Sequence, residues 1–362
     1  MFVATLGSDL GPCTQFAPCR TFNRAYRVAQ PGATVEVGAG TYPAQQLVAD
    51  STKTAPAVVF RPAPGAHVSV TGMVEAAGAS FVELRDMEAG SWQVQNTNQA
   101  VPGSHHVTFR NVTGRVLFVV GRVSDINVLG GSFGPLADGH PQIKPYNVYT
   151  DTGRPTDVLI DGVLFHDFTR SSSIVHTECL QIFSSTRVTV RNSRFTNCDG
   201  TASLAFGGAG ASPLEFLTIE NNWFDSKGDA FYAAQFSTIG RHLVMRYNSF
   251  SEAFGFNNSC PAGAVCGPYT FVGNYGPWSS ALCGTPRAGA TFAYNVLQGG
   301  TCSPTDTNVP ALRYVNAAAL DLHLAPGSEA IGRGDPSSYP SADIDGQARM
   351  RGTAPDAGAD EY

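Results

Sequence analysis

Four short segments in the middle of the chain share one pattern, a period-2 run of β-branched residues that closes on an asparagine with an aromatic residue near it. These segments are Val188–Phe195, Leu217–Phe224, Leu243–Phe250 and Tyr269–Tyr275. Asn222, Asn248, Asn274 and Asn295 follow one another at intervals of 26, 26 and 21 residues. Self-similarity at such a period is typical of stacked repeats. The pattern therefore predicts a solenoid of parallel strands with one asparagine-bearing turn per coil.

Asparagine suits such a turn for two reasons. It tolerates the left-handed backbone conformation, and its amide can hydrogen-bond to the equivalent amide of the next coil. We therefore expect the asparagines at 222, 248 and 274 to form a structural ladder rather than a functional site.

Composition limits the class of protein. At 362 residues with 43% hydrophobic content, the chain can bury a large core. Length alone would permit two domains, but a solenoid grows along one axis and remains one domain. The formal net charge is −6, and Lys and Arg are scattered, which argues against nucleic acid as a partner. No run of about 18 apolar residues occurs, so no membrane-spanning helix is expected.

The eight cysteines fall into pairs that are close in sequence. These pairs are Cys13/Cys19, Cys179/Cys198, Cys260/Cys266 and Cys283/Cys302. Local pairing favours disulfides formed in an oxidising compartment, with buried free thiols as the alternative. A start at Met1 without a basic and apolar leader indicates a mature protein whose signal segment was replaced by Met. We therefore expect a protein that is secreted or on the cell surface.

Three regions are expected within one domain. Residues 1–31 form a cap that includes a short amphipathic helix over Thr21–Ala29, ended by Pro31 and Gly32. Residues 32–303 form the coils, and residues 304–362 form an irregular C-terminal tail on the last coils. A cap is needed because the first coil would otherwise expose an open strand edge and an apolar cross-section.

The two ends of the chain carry a specific resemblance. Residues 9–42, from Asp9-Leu-Gly-Pro-Cys to Gly40-Thr-Tyr, resemble the start of secreted right-handed parallel β-helix proteins of the pectate-lyase-like superfamily. Asp343–Tyr362 resembles the C-terminal segment of bacterial surface or secreted β-helix proteins. The resemblance implies an all-β, right-handed parallel β-helix that binds carbohydrate in a groove along one face. The superfamily includes lyases, hydrolases, esterases, epimerases, transferases and non-catalytic proteins, so the fold leaves the activity open.

The chain departs from the catalytic motifs of that superfamily. Asp138-Gly-His140 and Gln142-Ile-Lys144 match parts of the motifs of polygalacturonase-like hydrolases, but the chain has neither their Asp-Asp pair nor a Gly-His-Gly. No group of an Arg and several calcium-binding Asp on neighbouring coils, as in pectate lyases, is evident. No catalytic role is therefore carried over residue by residue.

Spacing from the turn aromatics gives a register for possible catalytic residues. Phe133 precedes Lys144 by 11 residues, and Phe165 precedes His176 by 11 residues. If the two phenylalanines stack, Lys144 and His176 occupy equivalent positions on neighbouring coils, about 4.8 Å apart along the axis.

The same offset aligns Tyr146 with Glu178, and strand alternation places both pairs on one face. Arg170, in the preceding turn, could reach over this face. The predicted catalytic residues are Lys144, His176, Glu178, Arg170 and Tyr146. The alternative for His176 and Glu178 is an ordinary exposed pair, and the alternative for Lys144 is a solvated loop residue in a long insert.

Later coils supply polar and aromatic side chains to the same groove. The predicted substrate-binding residues are Gln181, Asp229, Tyr232, Gln235 and Asn257. Strict alternation would place Gln181 on the face opposite to Glu178, so a bulge or bend is required. Asp229 follows Lys227-Gly228, and a turn residue is its alternative interpretation.

Two mechanisms fit these residues. In a lyase, Lys144 or His176 removes the C5 proton of a uronate, Arg170 neutralises the carboxylate, and Tyr146 or His176 protonates the leaving oxygen. In a glycoside hydrolase, Glu178 and a second carboxylate such as Asp229 flank the bond.

The sequence favours a polysaccharide lyase that cleaves an acidic glycan by β-elimination. The alternatives are the glycoside hydrolase and a non-catalytic glycan-binding or cell-surface β-helix. No metal ligand is assigned. The tail carboxylates Asp343, Asp345, Asp356, Asp360 and Glu361 could hold calcium, but solvated turn residues are the better interpretation. A monomer is expected.

Overall fold

The computed structural model describes residues 1–96, 103–148, 153–200, 202–207, 213–226, 232–236, 239–256, 265–277, 289–350 and 352–362. These residues are almost entirely β-structure, with one α-helix, α1 (Phe22–Val28), and one 3-10 helix, η1 (Ala317–Ala319). Among them, no helix has the length and hydrophobicity that crossing a membrane requires.

The strands up to residue 161 are β1 (Phe2–Val3), β2 (Thr34–Val37), β3 (Gly40–Tyr42), β4 (Gln45–Val48), β5 (Val58–Pro62), β6 (Val68–Ala77), β7 (Ser80–Arg85), β8 (Glu88–Asn96), β9 (His105–Gly121), β10 (Ser124–Phe133), β11 (Leu136–Ala137), β12 (Gln142–Lys144) and β13 (Thr156–Asp161).

The later strands are β14 (Leu164–Thr169), β15 (Leu180–Ile182), β16 (Thr186–Arg191), β17 (Arg194–Cys198), β18 (Ala202–Phe206), β19 (Glu215–Glu220), β20 (Trp223–Asp225), β21 (Tyr232–Phe236), β22 (Leu243–Arg246), β23 (Ser249–Phe250), β24 (Phe254–Phe256), β25 (Tyr269–Val272), β26 (Tyr275–Pro277), β27 (Ala290–Ala293), β28 (Val296–Gln298), β29 (Thr307–Val309), β30 (Tyr314–Asn316) and β31 (Asp321–Leu324).

The chain divides into two compact units. The first unit comprises Met1–Gly134 and Pro141–Leu159, and the second comprises Pro135–His140 and Ile160–Tyr362. In the first unit, one parallel face joins β2, β5, β7, the start of β9, and β10. Another joins β4, the ends of β6, β8 and β9, and β12. A third face joins β3, the start of β6, the start of β8 and the middle of β9.

The second unit repeats three parallel strands per coil. Its first face joins β16, β19, β22, β25 and β27. The second joins β14, β17, β20, β23, β26, β28 and β29, although β23 contributes only two residues. The third, which we call the β15–β24 face, joins β15, β18, β21 and β24.

Stacked apolar side chains fill the interior of the second unit. The rings of Phe165, Phe195, Phe224 and Phe250 stack in sequence, with centroids 5.0, 4.8 and 5.2 Å apart. Burying each of these side chains contributes about 1.5–3 kcal/mol. The repeated aromatic after the asparagine turn therefore becomes a continuous core column.

The asparagine ladder that the sequence predicts is present. The Oδ1 atom of Asn248 accepts hydrogen bonds from both the backbone N–H and the Nδ2 atom of Asn222, at 3.1 and 3.0 Å. The same pair of hydrogen bonds joins Asn248 to Asn274 and Asn274 to Asn295. The ladder ends on Asp306, whose Oδ1 atom accepts both bonds from Asn295.

The expectation that the ladder asparagines adopt the left-handed conformation is wrong, because the residues just before them adopt it instead. Asn221 and Tyr247 have φ values of 58° and 55°, as does Tyr294 at 55°, and a glycine, Gly273, takes this position before Asn274. The ladder asparagines are therefore selected for their amides, while the preceding position supplies the turn.

The predicted capping helix is also confirmed in the first unit, as α1. The hydroxyl of Thr21 accepts a hydrogen bond from Arg24 N at 3.1 Å and so caps the first turn. Phe22 packs against Phe60 with ring centroids 5.4 Å apart, and the Tyr26 hydroxyl donates to Ser80 O at 2.6 Å. These contacts cover the first coil.

The C-terminal segment, residues 304–362, packs within the second unit. Its buried Arg349 donates to Asn221 Oδ1 at 2.6 Å and to Gly358 O at 2.8 Å. The hydroxyl of Tyr314 lies 3.0 Å from Phe250 O. The closing motif that carries the resemblance therefore joins the tail to the coils, with Arg349 at its centre.

Candidate functional site

A buried carboxylate, Glu178, lies at the centre of the candidate site. It belongs to residues 171–179, a segment between β14 and β15 that contains no strand. The disulfide between Cys179 and Cys198 fixes the chain directly after Glu178 and confirms one predicted cysteine pair. The side chain of Glu178 is 1% exposed, so it requires polar partners within the protein.

Two histidines supply those partners. His176 Nδ1 lies 3.5 Å from Glu178 Oε1, and His140 Nδ1 lies 3.4 Å from Glu178 Oε2. His140 is itself nearly buried, and its Nε2 atom lies 2.8 Å from Gln181 Oε1. The carboxylate is therefore held between two imidazoles, one of which is fixed by an amide.

The two imidazoles differ in exposure. The side chain of His176 is 76% exposed, whereas that of His140 is 9% exposed. Within the described residues, His176 Nε2 makes no hydrogen bond. His176 thus presents one ring nitrogen to solvent while its other nitrogen faces the buried carboxylate.

The loop that carries His140 is tied to the loop that carries His176. Asp138 N donates to Thr169 O at 2.9 Å, and Ser171 N donates to Asp138 Oδ1 at 2.7 Å. Asp138 adopts a φ of 53°, which an aspartate tolerates better than most residues. These bonds explain how a residue about 40 positions earlier in the sequence reaches Glu178.

The structure brings His176, Glu178 and Gln181 together, but not by the predicted alternation. The predicted alternation requires a strand through residues 176–178, and the described chain has no strand there. Without a strand, His176 can point to solvent while Glu178 is buried, and Gln181 can approach the same cluster through His140.

Arg170 is held by an acidic neighbour. Its Nε atom lies 3.3 Å from Asp199 Oδ1, and its side chain is 15% exposed. The ion pair places Arg170 next to Asp199, which directly follows Cys198 at the end of β17.

Lys144 and Tyr146 belong to the first unit, whereas His176, Glu178 and Arg170 belong to the second. Lys144 ends β12 and is in register with Val120 of β9. Burial lowers the pKa of its amine below the usual value of 10.5, because the charged form loses hydration. Tyr146 is about half exposed, at 49%.

Three of the predicted substrate-binding residues, Gln181, Tyr232 and Gln235, lie on the β15–β24 face. Gln181 is in register with Ala205, which is in register with Gln235. The two glutamines are thus two strands apart, about 10 Å, and both are partly exposed. Tyr232 starts β21 and pairs with Ala202. Asp229 and Asn257 lie outside the described residues.

His140 is the residue that sequence reasoning missed. The only signal in the sequence is the motif Asp138-Gly-His140, which matches part of a hydrolase motif and by itself predicts no site. Its partner Gln181 was predicted to bind substrate, and in the structure it also orients this histidine.

The remaining cysteines agree with disulfide bonding. Cys13 is bonded to Cys19, as predicted. Cys266 and Cys302 are disulfide-bonded as well, while their predicted partners, Cys260 and Cys283, lie outside the described residues.

Comparison with solved structures confirms the right-handed parallel β-helix. The chain is similar to pectate lyase Pel9A, with a TM-score of 0.53 and 14% identity over 100% of this chain and 96% of that one. It is also similar to XylC in its complex with xylose, with a TM-score of 0.54 and 9% identity over 87% of each chain. No protein-family model and no curated protein sequence matches the chain. At these identities the similarity establishes the fold alone.

Proposed function

We propose that this chain is a secreted polysaccharide lyase that cleaves an acidic glycan by β-elimination. The observation that carries the proposal is the contact between buried Glu178 and exposed His176. A buried carboxylate that faces one nitrogen of an exposed imidazole orients the ring and stabilises its cation. The other nitrogen, Nε2, is then available as a general base.

The reaction follows from this geometry. His176 Nε2 takes the proton from C5 of a uronate, and the electrons of that bond form a double bond between C4 and C5. The bond from C4 to the glycosidic oxygen breaks, and the leaving oxygen receives a proton. Glu178 stabilises the imidazolium that forms on His176, and a base positioned in this way contributes about 10²–10⁴-fold in rate.

Lys144 is the alternative base. Its lowered pKa increases the fraction of neutral amine at moderately alkaline pH, as a basic lysine requires. The two bases predict different pH dependence. A histidine acts within the range where imidazoles titrate, between about pH 5 and 8, whereas a lysine base requires higher pH.

The acidic substrate would meet a guanidinium and side-chain amides around the base. Arg170 would neutralise the uronate carboxylate, which requires it to share its guanidinium between Asp199 and the substrate. The imidazolium of His176 would then give its proton to the leaving oxygen. The partly exposed amides of Gln181 and Gln235 would hydrogen-bond sugar hydroxyls along the β15–β24 face.

The comparisons and the disulfides support the substrate class and the location. The similar structures include a protein named as a pectate lyase and a protein solved with xylose. The disulfides favour an oxidising compartment, which agrees with secretion.

The burial of Glu178 weakens the hydrolase alternative. In a glycoside hydrolase both carboxyl groups must approach the scissile bond. Glu178 is 1% exposed, and each of its carboxylate oxygens faces a histidine. A carboxylate in this position is better suited to orient a histidine than to touch a sugar.

The test is an activity panel. Purified protein is incubated with uronate-containing and neutral polysaccharides, with and without calcium, and the ultraviolet absorbance of unsaturated products is read together with new reducing ends. We expect unsaturated product from an acidic polysaccharide, lost in His176→Ala and retained in His242→Asn, which replaces an exposed histidine elsewhere in the second unit. Reducing ends without absorbance would support hydrolysis. Neither signal, together with retardation in glycan-containing gels, would support a binding protein.

The pH profile separates the two bases. If His176 is the base, the rate rises between pH 5 and 8 and Lys144→Ala keeps that rise. If Lys144 is the base, the rise lies at higher pH and disappears in Lys144→Ala.

A further inference from the structure

A second cluster of titratable side chains lies in the C-terminal segment of the second unit. His323, Asp345 and Asp360 each offer one donor atom, and these atoms lie within 4.8 Å of one another. Among the described residues, this is the group whose donor atoms could surround a single metal ion. The proposed catalytic residues do not belong to it.

Each member of the cluster is held by one atom and offers another. His323 Nδ1 hydrogen-bonds to Asp321 Oδ1, while His323 Nε2 lies 2.7 Å from Asp345 Oδ2. Asp345 Oδ1 is bound by the guanidinium of Arg194. Asp360 Oδ2 accepts a hydrogen bond from Leu324 N at 2.7 Å. Outer partners that orient ligands in this way are typical of metal sites.

The contact between Asp321 and His323 is the most specific of these features. Metal-binding histidines usually donate their second ring nitrogen to a carboxylate or a carbonyl, which fixes the tautomer and the ring orientation. Here Asp321 holds Nδ1, so Nε2 is the nitrogen directed to Asp345.

Asp343 adds a buried carboxylate, whose Oδ1 atom accepts hydrogen bonds from Asp345 N and Gln347 N. Its side chain is buried, at 2% exposure, and its Oδ2 atom has no hydrogen-bond partner within the described residues. The charge of Asp343 also acts on Asp360. Arg194 pairs with Asp345, and the charge of Arg349 acts on Asp343. Four carboxylates, at 321, 343, 345 and 360, thus meet two guanidinium groups, and a bound cation would offset the remaining negative charge.

We propose that His323, Asp345 and Asp360 bind a divalent transition-metal ion of the Zn²⁺ class, with Asp321 as the orienting partner of His323. An imidazole nitrogen with carboxylate oxygens suits Zn²⁺, whereas Ca²⁺ prefers oxygen ligands alone. Water would complete the coordination on the exposed side of Asp345. The metal replaces the proton that His323 and Asp345 share.

The site would fix the C-terminal segment to the coils. Trp223 of β20 packs edge-on against His323, with ring centroids 4.6 Å apart, and Arg194 of β17 lies over the Trp223 ring. Since His323 and Asp345 both contact these coil residues, a metal between them stabilises the packing of the tail. A ligand that binds only the folded state raises its stability.

Trp223 also provides a direct readout. The protein is treated with a chelator, dialysed and titrated with Zn²⁺, Co²⁺, Ca²⁺ and Mg²⁺ by calorimetry and by tryptophan fluorescence. We expect one Zn²⁺ per chain, an increase in the thermal midpoint, and quenching by Co²⁺ that is lost in Trp223→Phe.

Variants assign the ligands. We expect His323→Ala and Asp345→Asn to abolish these changes and Asp321→Asn to lower the Zn²⁺ affinity by about 10–100-fold. His242→Asn serves as the matched control and should bind like the wild type. If a ligand variant fails to fold, the fluorescence titration of the wild type still tests whether the metal binds near Trp223.

Three results would overturn the proposal. One is the absence of Zn²⁺ binding by the wild type at micromolar concentrations. Another is Zn²⁺ binding that His323→Ala leaves unchanged. That result would point to other histidines, such as His105 and His106, which are adjacent to each other in the first unit. The third is binding of Ca²⁺ in preference to Zn²⁺. None of these results depends on the polysaccharide assay.

Discussion

The second unit contains two groups of buried polar side chains that are built in opposite ways. In the asparagine ladder every amide is neutral and fully paired. The Nδ2 atom of Asn248, for example, donates to Ile219 O and to Asn274 Oδ1, both at 3.0 Å. At the candidate site, Glu178 is ionisable, and its Oε2 atom has no hydrogen bond within the described residues, although His140 Nδ1 lies 3.4 Å away.

The difference separates a structural role from a functional one. Fully paired buried amides rigidify the coil stack, because removing one leaves its neighbours unsatisfied. Incompletely paired, ionisable groups contribute little to stability, and natural proteins retain them mainly where chemistry requires them. Ladder substitutions should therefore affect stability, and site substitutions should affect activity.

The largest expected effect follows from placing a charge in the ladder. In Asn248→Asp an acceptor replaces Nδ2 and faces the three oxygens that Nδ2 contacts, which are Ile219 O, Arg246 O and Asn274 Oδ1. At pH 8 the buried unpaired carboxylate should lower the free energy of unfolding by about 3–5 kcal/mol. At pH 4 the loss should be smaller, because a protonated carboxyl can donate once. Urea unfolding at both pH values measures the difference, and equal losses would contradict the account.

The next effect is simple removal of an amide. Asn248→Ala removes the donor to Ile219 O and the acceptor of both bonds from Asn222, while the backbone bond from residue 248 to Asn274 Oδ1 remains. We therefore expect a loss of about 2–3 kcal/mol. The matched control is Asn308→Ala, since Asn308 is exposed and accepts one long bond from Gly299 N at 3.3 Å. That control should lose less than about 1 kcal/mol. Similar losses in the two variants would show that the ladder adds little.

A smaller effect is expected where the ladder ends. Asp306 Oδ1 receives the bonds of Asn295, while its Oδ2 atom accepts from Cys302 N and Ser303 N, both at 3.0 Å. An aspartate suits this position because all its contacts are donors. In Asp306→Asn the new NH₂ group faces two N–H donors, which should cost about 1–3 kcal/mol. An unchanged unfolding midpoint would exclude this explanation of the ladder's end.

The smallest expected effect on stability is at the candidate site. Glu178→Gln keeps the size of the side chain and removes a buried charge, so the free energy of unfolding should change by less than about 1 kcal/mol. Thermal and urea unfolding beside Asn248→Ala measure the contrast. A loss as large as that of Asn248→Ala would instead assign Glu178 to the scaffold.

The sequence was sufficient for the repeated part of the fold. Asn222 and Asn248, with their following aromatics, recur at a fixed interval, so coil register could be read directly. The capping helix after Thr21 and the disulfide of Cys179 with Cys198 follow from local signals. Each of these features depends on neighbours in sequence or on the period.

The candidate site was only partly predictable because it lies where the period is interrupted. His176 and Glu178 were identified, but by an alternation that requires a strand absent at these positions. His140 reaches Glu178 through backbone bonds of Asp138 with Thr169 and Ser171, and such a contact between two irregular loops leaves no periodic signal. The contact of His323 with Asp345 likewise leaves no periodic signal, because Asp345 lies in a separate turn of the tail.

The central claim is that Glu178 orients a catalytic histidine and is not part of the scaffold. Its most direct test measures unsaturated product and the unfolding midpoint of Glu178→Gln in one preparation, beside the wild type and His242→Asn. The account predicts a fall in activity of about 100-fold or more with an unfolding midpoint close to that of the wild type. Full activity in Glu178→Gln, with or without a change in stability, would contradict it.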